Sequence, residues 1–150
     1  MTTIAEIQKH LINSNFDAYI ITRNNLFIGQ DVLEAENKIF ELTGFDGSAG
    51  NLIIFRNHVV LLVDGRYELQ AQNQVNKDIV NVVCTRDSIG IWLQNNIETP
   101  TKFLYNAWCH SISEVDFWKR SLSNHEFVDD KANILGDRIT KADDEIFELE

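Results

Sequence analysis

The sequence predicts an α/β fold in which helices cover both faces of a mixed β-sheet. Short apolar runs alternate along the chain with segments of helical periodicity, which is the pattern of α/β domains. Two of these runs, at 52–55 and 59–63, are separated only by residues 56–58, and so short a loop favours an antiparallel hairpin. Both runs are apolar without strict alternation, which indicates strands buried on both faces.

The first half of the chain begins with a well-marked helix. Thr3 and Glu6 have the spacing of a capping box. The apolar residues behind them are predicted to share one inward face: Ile4, Ile7, Leu11 and Ile12. A strand is expected at 18–21, a helix from about 32 to 42, and a further helix from about 67 to 75 after the hairpin.

Strands and helices continue to alternate in the second half. A strand at 79–84 ends at Cys84, which we interpret as a buried small hydrophobe. Ser88 is placed to cap the next helix, and Ser111 forms a capping-box pattern with Glu114 at the start of the last one. The inward residues of these two helices are predicted to be Ile89, Trp92 and Leu93, then Val115, Trp118 and Leu122. Short strands are expected at 103–105 and 126–128.

The chain is expected to hold one domain, at 1–140, because no linker interrupts the pattern before about Asp129. The last segment, 141–150, begins a new element with apolar residues still to bury. We interpret it as the start of the connection to a second domain that is absent from this chain. The chain is therefore expected to be a shortened piece of a longer parent protein.

Composition limits the classes of partner. The 150 residues carry 23 acidic and 13 basic side chains, a formal net charge of −10, which disfavours nucleic acid and leaves a basic partner open. No apolar run approaches the roughly 18 residues that cross a bilayer, and the N-terminus lacks the pattern of a signal peptide. We expect a cytoplasmic protein with no membrane partner.

Familiar catalytic and metal-binding motifs do not occur in the sequence. The four histidines fall on separate predicted elements, and we interpret each as a surface or hydrogen-bonded residue rather than a metal ligand. Ser48 lies in a Gly-Ser-Ala-Gly sequence that lacks the spacing of a nucleophile elbow, and Cys109 is adjacent to His110 only in sequence. A hydrolase that uses Ser48 or Cys109 is the least favoured hypothesis, and no catalytic or metal residue is predicted.

Two segments stand out instead. The first, Leu-Thr-Gly-Phe-Asp-Gly-Ser-Ala-Gly at 42–50, is either a tight helix-to-strand turn or a loop that approaches a ligand or a neighbouring domain. The second, Leu-Leu-Val-Asp-Gly-Arg-Tyr-Glu-Leu-Gln-Ala at 61–71, passes from a strand into a helix that Asp64 is placed to cap. Arg66 is expected to pair with Asp46 or Asp64, or with a carboxylate outside the domain.

Together these two segments closely resemble the N-terminal domain of Xaa-Pro aminopeptidases of the creatinase/prolidase superfamily (peptidase M24), in its three-domain form. Residues 17–21, 92–93 and 129–139 also fit that pattern. The resemblance implies a mixed sheet with helices on both faces, of the ribonuclease H-like type. It also implies a parent metalloaminopeptidase that releases the N-terminal residue before proline, with this chain catalytically inert alone. The two divalent metal ions, commonly manganese, would lie in a separate C-terminal pita-bread domain, with no cofactor in this chain.

The resemblance further implies that the domain shapes the substrate entrance and contributes dimer contacts. The implied partners are the parent's own C-terminal catalytic domain, a second copy of the protein and a peptide substrate. The candidates for substrate-facing or interface-facing positions are Phe45, Asp46, Ser48, Arg66 and Tyr67, which alternatively pack the two motifs against each other. The polar stretch at 22–30 departs from the family pattern, which leaves substrate preference open. A catalytically dead relative that binds a basic partner, as in a histone chaperone, is the alternative function.

Overall fold

The computed structural model describes residues 3–22, 38–47, 49–106, 110, 112–131 and 134. Within these ranges it contains helices α1 (Ile4–Ser14), α2 (Lys38–Thr43), α3 (Glu68–Gln74), α4 (Ile89–Asn96) and α5 (Ile112–Ser121). The strands are β1 (Ala18–Thr22), β2 (Asn51–Phe55), β3 (Val59–Val63), β4 (Val80–Cys84), β5 (Lys102–Tyr105) and β6 (Glu126–Asp129). Among the described residues, no helix combines the length and apolar character that crossing a membrane requires.

The strands form one mixed sheet in the order β4-β3-β2-β1-β5-β6. Strand β2 runs antiparallel to β1 and to β3, whereas the pairs β3–β4, β1–β5 and β5–β6 are parallel. The predicted hairpin is confirmed, since Phe55 N donates to His58 O at 2.8 Å across the three-residue connection. β2 is therefore the one described strand that runs opposite to the rest of the sheet.

Two hydrophobic clusters lie on opposite faces of this sheet. Helices α1, α2 and α3 contribute to the first cluster, which includes Tyr19 and Phe45. Helices α4 and α5 contribute to the second, which includes Ile20 and Trp118. Tyr19 and Ile20 are adjacent in β1 but belong to different clusters, because successive side chains of a strand point to opposite faces. The predicted fold class is therefore confirmed.

The capping box of α1 is confirmed, but the predicted inward face is partly wrong. Glu6 N donates to Thr3 Oγ1 at 3.2 Å, and Thr3 N donates to Glu6 Oε1 at 2.9 Å. Ile7 and Leu11 are buried, whereas Ile12 is 57% exposed. Consecutive residues lie about 100° apart around an α-helix, so Ile12 turns away from the face that Leu11 buries.

Several boundaries in the rest of the chain differ from prediction. β4 begins at Val80, and Cys84 is exposed at the end of this edge strand, so its predicted burial is wrong. Ser88 caps α4 as predicted, accepting from Ile91 N at 3.4 Å. The predicted helix over 32–42 is seen at Lys38–Thr43, and its first residues lie outside the described ones, as do Ser111 and 141–150. The domain division at residue 140 stays a prediction.

Candidate functional site

The loop of the first motif is hydrogen-bonded to the helix of the second. Asp46 Oδ1 accepts from Gln70 Nε2 at 2.7 Å and from Gln74 Nε2 at 2.9 Å. Asp46 N also donates to Gln74 Oε1 at 3.1 Å. These three bonds join the loop after α2 to one side of α3, although the residues lie far apart in sequence. The two motifs are thus one packed unit.

Phe45 anchors that unit from inside the core. Its side chain is fully buried, and its ring meets the Tyr67 ring edge-to-face with the centroids 6.2 Å apart. A Cβ at Gly47 would lie 2.3 Å from Phe45 Cζ, well inside van der Waals contact. Gly44 has a φ of +84°, in the left-handed region that favours glycine. The spacing of glycines in the first motif therefore reflects the turn and the close approach of the Phe45 ring.

The turn before α3 presents Arg66 to solvent. Asp64 Oδ1 accepts from Arg66 N at 2.9 Å, and Asp64 Oδ2 lies 2.9 Å from Arg66 Nη2. Hydrogen bonds from Arg66 lower the pKa of the Asp64 carboxyl, and the same pairing raises the pKa of Arg66. The Arg66 side chain is 74% exposed, and its guanidinium carbon lies 5.2 Å from the centre of the Tyr67 ring. The pair therefore shapes the turn while leaving much of the cation accessible.

Two sequence predictions about this turn are settled by these contacts. Asp64 is the partner of Arg66, and Asp46 is not, because Asp46 is bonded to the glutamines of α3. Asp64 does not cap α3. The N-cap residue of this helix is Tyr67, whose side chain makes no capping hydrogen bond. The short Asp-Gly-Arg turn directs the Asp64 carboxylate to Arg66 N, two residues along, rather than to the helix.

A cleft of about 620 Å³ opens beside the turn. It lies where the parallel strands β3 and β4 end and β2 begins, the edge of an open α/β sheet at which ligands commonly bind. Both motifs contribute to it, together with a third segment, 85–87, for which the sequence predicted no role in a site. The lining residues are Ala49, Gly50, Asn51, Leu62, Val63, Asp64, Gly65, Arg66, Thr85, Arg86 and Asp87.

The third segment, 85–87, follows β4 directly. Thr85 N donates to Val63 O at 2.8 Å, and Asp87 N donates to Thr85 Oγ1 at 3.1 Å. The parallel pairing of β3 with β4 brings this turn next to the Asp-Gly-Arg turn. The sequence signal that indicates this contact is the order strand, helix, strand from β3 to β4. That order predicts parallel strands whose carboxyl ends lie side by side.

The candidate positions that the structure describes differ in how far their side chains are exposed. Arg66 is exposed at the cleft, Asp46 is exposed on the adjoining loop, and Tyr67 is partly buried between them and the core. Phe45 is buried, so its ring does not reach the surface of this chain. Ser48 lies outside the described residues. The four described positions belong to one packed unit, and their assignment to a substrate or an interface stays a prediction.

The histidines have partners within the chain. His110 Nδ1 lies 2.8 Å from Asn106 O and its Nε2 lies 3.0 Å from Thr22 Oγ1. Burial lowers the pKa of His110 despite the bond to Asn106 O. His125 accepts from Thr101 N at 3.0 Å, and His10 and His58 contact neighbouring polar side chains. Cys109 is not among the described residues.

The described residues do not form a site that fits a metal ion. Across the ranges that the structure describes, no three His, Cys, Asp or Glu side chains come together. Stable metal sites in proteins generally need at least three such donors. No chemical step through a metal follows from this part of the chain.

These features define a class: an α/β domain with a helix-covered mixed sheet, two interlocked motifs and a polar cleft at the carboxyl ends of its strands. Residues 4–139 match the Creatinase/Prolidase N-terminal domain family. The chain belongs to that family. The prediction from the two motifs, that this chain is an N-terminal domain of the creatinase/prolidase superfamily, is thereby confirmed.

Known relatives agree with this assignment. The chain is 26% identical over 111 residues to "Aminopeptidase P1" of Lotus japonicus, covering 73% of this chain and 17% of that protein. It resembles the X-prolyl aminopeptidase of Caenorhabditis elegans, described as a cytosolic enzyme with a di-nuclear active site. That match has a TM-score of 0.73 and 17% identity, over 81% of this chain and 21% of the other. The chain thus spans about a fifth of the length of these relatives.

A third match concerns an isolated domain. The N-terminal domain of the cytoplasmic peptidase PepQ from Mycobacterium tuberculosis aligns with a TM-score of 0.65 and 24% identity. The alignment covers 90% of this chain and 97% of that domain. At this identity the likeness establishes the fold alone, and that fold is the one the sequence predicted.

Proposed function

We propose that this chain is the non-catalytic N-terminal domain of a metal-dependent Xaa-Pro aminopeptidase, an enzyme that releases the N-terminal residue before proline. The single observation that carries the proposal is the match of 4–139 to the Creatinase/Prolidase N-terminal domain family. The names of the relatives, which are aminopeptidases P and an X-prolyl aminopeptidase, support the substrate class.

The chemistry of the parent enzyme is assigned to a part of it outside this chain. Two divalent metal ions, proposed to be manganese, would activate water there for attack on the peptide bond. The di-nuclear site named for the nematode enzyme supports the number of metal ions. The cytosolic and cytoplasmic descriptions of two structural relatives support a cytoplasmic location.

The role of the domain is to shape the substrate entrance and to contribute dimer contacts. The proposed surface consists of Asp46, Ser48, Arg66 and Tyr67, with Phe45 holding the first motif in position from the core. Two observations support this role: the hydrogen bond from Gln70 to Asp46 joins the two motifs, and the exposed Arg66 lies beside the cleft. The proposed partners are the parent's catalytic domain, a second copy of the parent and the peptide.

Hydrolysis of an Xaa-Pro peptide with added manganese tests this proposal. The assay compares the 150-residue chain with the full-length parent, and each is also measured after chelation of divalent metal. We expect turnover by the full-length protein alone, abolished by the chelator. Turnover by the 150-residue chain would refute an accessory role, and inactivity of both would refute the aminopeptidase assignment.

A binding module with a basic partner is the second candidate. The net charge of −10 favours it, since an acidic surface attracts basic proteins such as histones. If the full-length parent lacks hydrolytic activity, this candidate predicts that it retains a basic protein at low salt and releases it as ionic strength rises.

A further inference from the structure

The cleft beside the Asp-Gly-Arg turn has a charge arrangement that the proposed function does not use. Arg66 is already paired with Asp64. Arg86 and Asp87 are both exposed and line the same cleft. Within the described part of the chain, neither the guanidinium of Arg86 nor the carboxylate of Asp87 makes an ion pair or a side-chain hydrogen bond. Among the described residues, Arg86 and Asp87 therefore give the cleft one cation and one anion without a close ion-pair partner, although Arg86 also acts on the Asp64 carboxylate at longer range.

We propose that this cleft binds a small zwitterion of the α-amino acid class. Arg86 would bind the carboxylate, since a guanidinium matches carboxylate geometry with two parallel N–H donors. Asp87 would accept from the ammonium group of the same ligand. The proposal goes beyond the accessory role proposed above, because it gives the domain a ligand of its own.

Charge balance favours a zwitterion over a simple anion. The two arginines of the cleft are matched by two aspartates, Asp64 and Asp87, so the four side chains carry no net charge. The whole chain is acidic, with a net charge of −10, which repels a dianion such as phosphate more strongly than it repels a neutral zwitterion. A ligand with one positive and one negative group meets a partner for each.

Size and lining agree with the same class. A volume of about 620 Å³ lies in the range of small-molecule sites, and it exceeds what an amino acid fills. Leu62 and Val63 border the cleft at the end of β3, but each is only 2% exposed, so the accessible lining comes mainly from the turns. Leucine is smaller than the cleft and carries both charged groups, so it is a suitable probe for a zwitterion site.

Three ligands that differ in one charged group each test the proposal. L-leucine, N-acetyl-L-leucine and L-leucinamide are titrated into the 150-residue chain and followed by two-dimensional NMR. N-acetylation removes the ammonium charge, and amidation removes the carboxylate. We expect amide shifts around residues 49–51, 63–66 and 85–87 with leucine, and binding about fivefold weaker for either analogue, the upper range for an exposed ion pair.

Matched variants assign the two ends of the ligand. Arg86→Gln is expected to weaken leucine binding about fivefold while leaving leucinamide unchanged. Asp87→Asn is expected to weaken leucine binding and leave N-acetyl-leucine unchanged or slightly tighter. Arg120→Gln, which changes an exposed arginine on α5 outside the cleft, is the control and should leave all three ligands unaffected.

Several results would overturn the proposal. These are the absence of shifts with leucine, equal binding of the three ligands, and an effect of Arg120→Gln as large as that of Arg86→Gln. Tighter binding of inorganic phosphate than of leucine would also overturn it, by showing a plain anion site. None of these readouts involves peptide hydrolysis, so failure here is distinguishable from failure of the aminopeptidase assignment.

Discussion

The contact between Gly47 and the Phe45 ring gives the sharpest prediction about stability. A methyl group at Gly47 would lie 2.3 Å from Phe45 Cζ and 2.9 and 3.0 Å from the ring carbons beside it. Favourable carbon–carbon contacts lie at about 3.5–4.0 Å, so the ring or the loop has to move by about 1 Å. The Phe45 side chain is fully buried against the core, which leaves the ring little room.

We therefore expect Gly47→Ala to destabilise the domain by about 1–3 kcal/mol, the usual cost of overpacking a core. For a chain of this size, each kcal/mol lowers Tm by about 2–4 °C. Gly65→Ala is the matched control, because no atom lies within 4 Å of a Cβ built there. The control should be neutral, or stabilising by up to about 1 kcal/mol through reduced freedom of the unfolded chain.

Urea unfolding followed by tryptophan fluorescence, to which the buried residues Trp92 and Trp118 contribute, measures both variants. The double variant Phe45→Leu with Gly47→Ala should be more stable than the sum of the single effects predicts, since the smaller side chain makes room for the methyl group. The reasoning fails if Gly47→Ala unfolds at the same urea concentration as Gly65→Ala, or if the two core changes are simply additive.

Three further predictions concern hydrogen bonds and proton equilibria. Asp46→Ala should lower the free energy of unfolding by about 1 kcal/mol, because it removes the acceptor of the hydrogen bonds from Gln70 and Gln74. Asp46→Asn keeps an acceptor oxygen and should cost less. Equal losses in urea unfolding would contradict this. Partial desolvation is the largest cause that raises the pKa of the Cys84 thiol, and the Glu68 carboxylate raises it further. Glu68→Gln should therefore lower that pKa and speed alkylation of the thiol by iodoacetamide near neutral pH. An unchanged rate profile would exclude the Glu68 contribution. Burial lowers the pKa of His110, so below about pH 6.5 the unfolded chain takes up the proton first and stability falls as pH drops. His110→Gln should remove that part of the slope in urea unfolding between pH 7.5 and 5.5, and an identical slope would contradict the burial argument.

The elements whose signals are local were predictable from the sequence. The Thr3–Glu6 capping box and the hairpin at 56–58 depend on residues within a few positions of one another, and both were predicted correctly. Burial at the margin of the sheet was not predictable in this way. Cys84 follows an apolar run, but its exposure is decided by the edge position of β4.

The candidate site was predictable only in part, for a related reason. Both motifs stood out in sequence, yet the bond from Gln74 to Asp46 joins residues 28 positions apart, and no local pattern specifies it. The segment at 85–87 reaches the cleft only through the parallel pairing of β3 with β4. Contacts made by the fold, rather than by neighbours in the chain, decide which polar residues meet.

The reversed direction of β2 has a practical consequence for experiments on this domain. Because β2 starts beside the residue where β3 ends, the turn between them lies at the other end of these two strands, away from the cleft. Three residues of β3, 59–61, separate that turn from the cleft lining, roughly 10 Å along the strand. Asn57 is exposed in this turn, so a dye or a surface tether attached there leaves the cleft open to solution. The domain can then be immobilised in one known orientation for binding measurements.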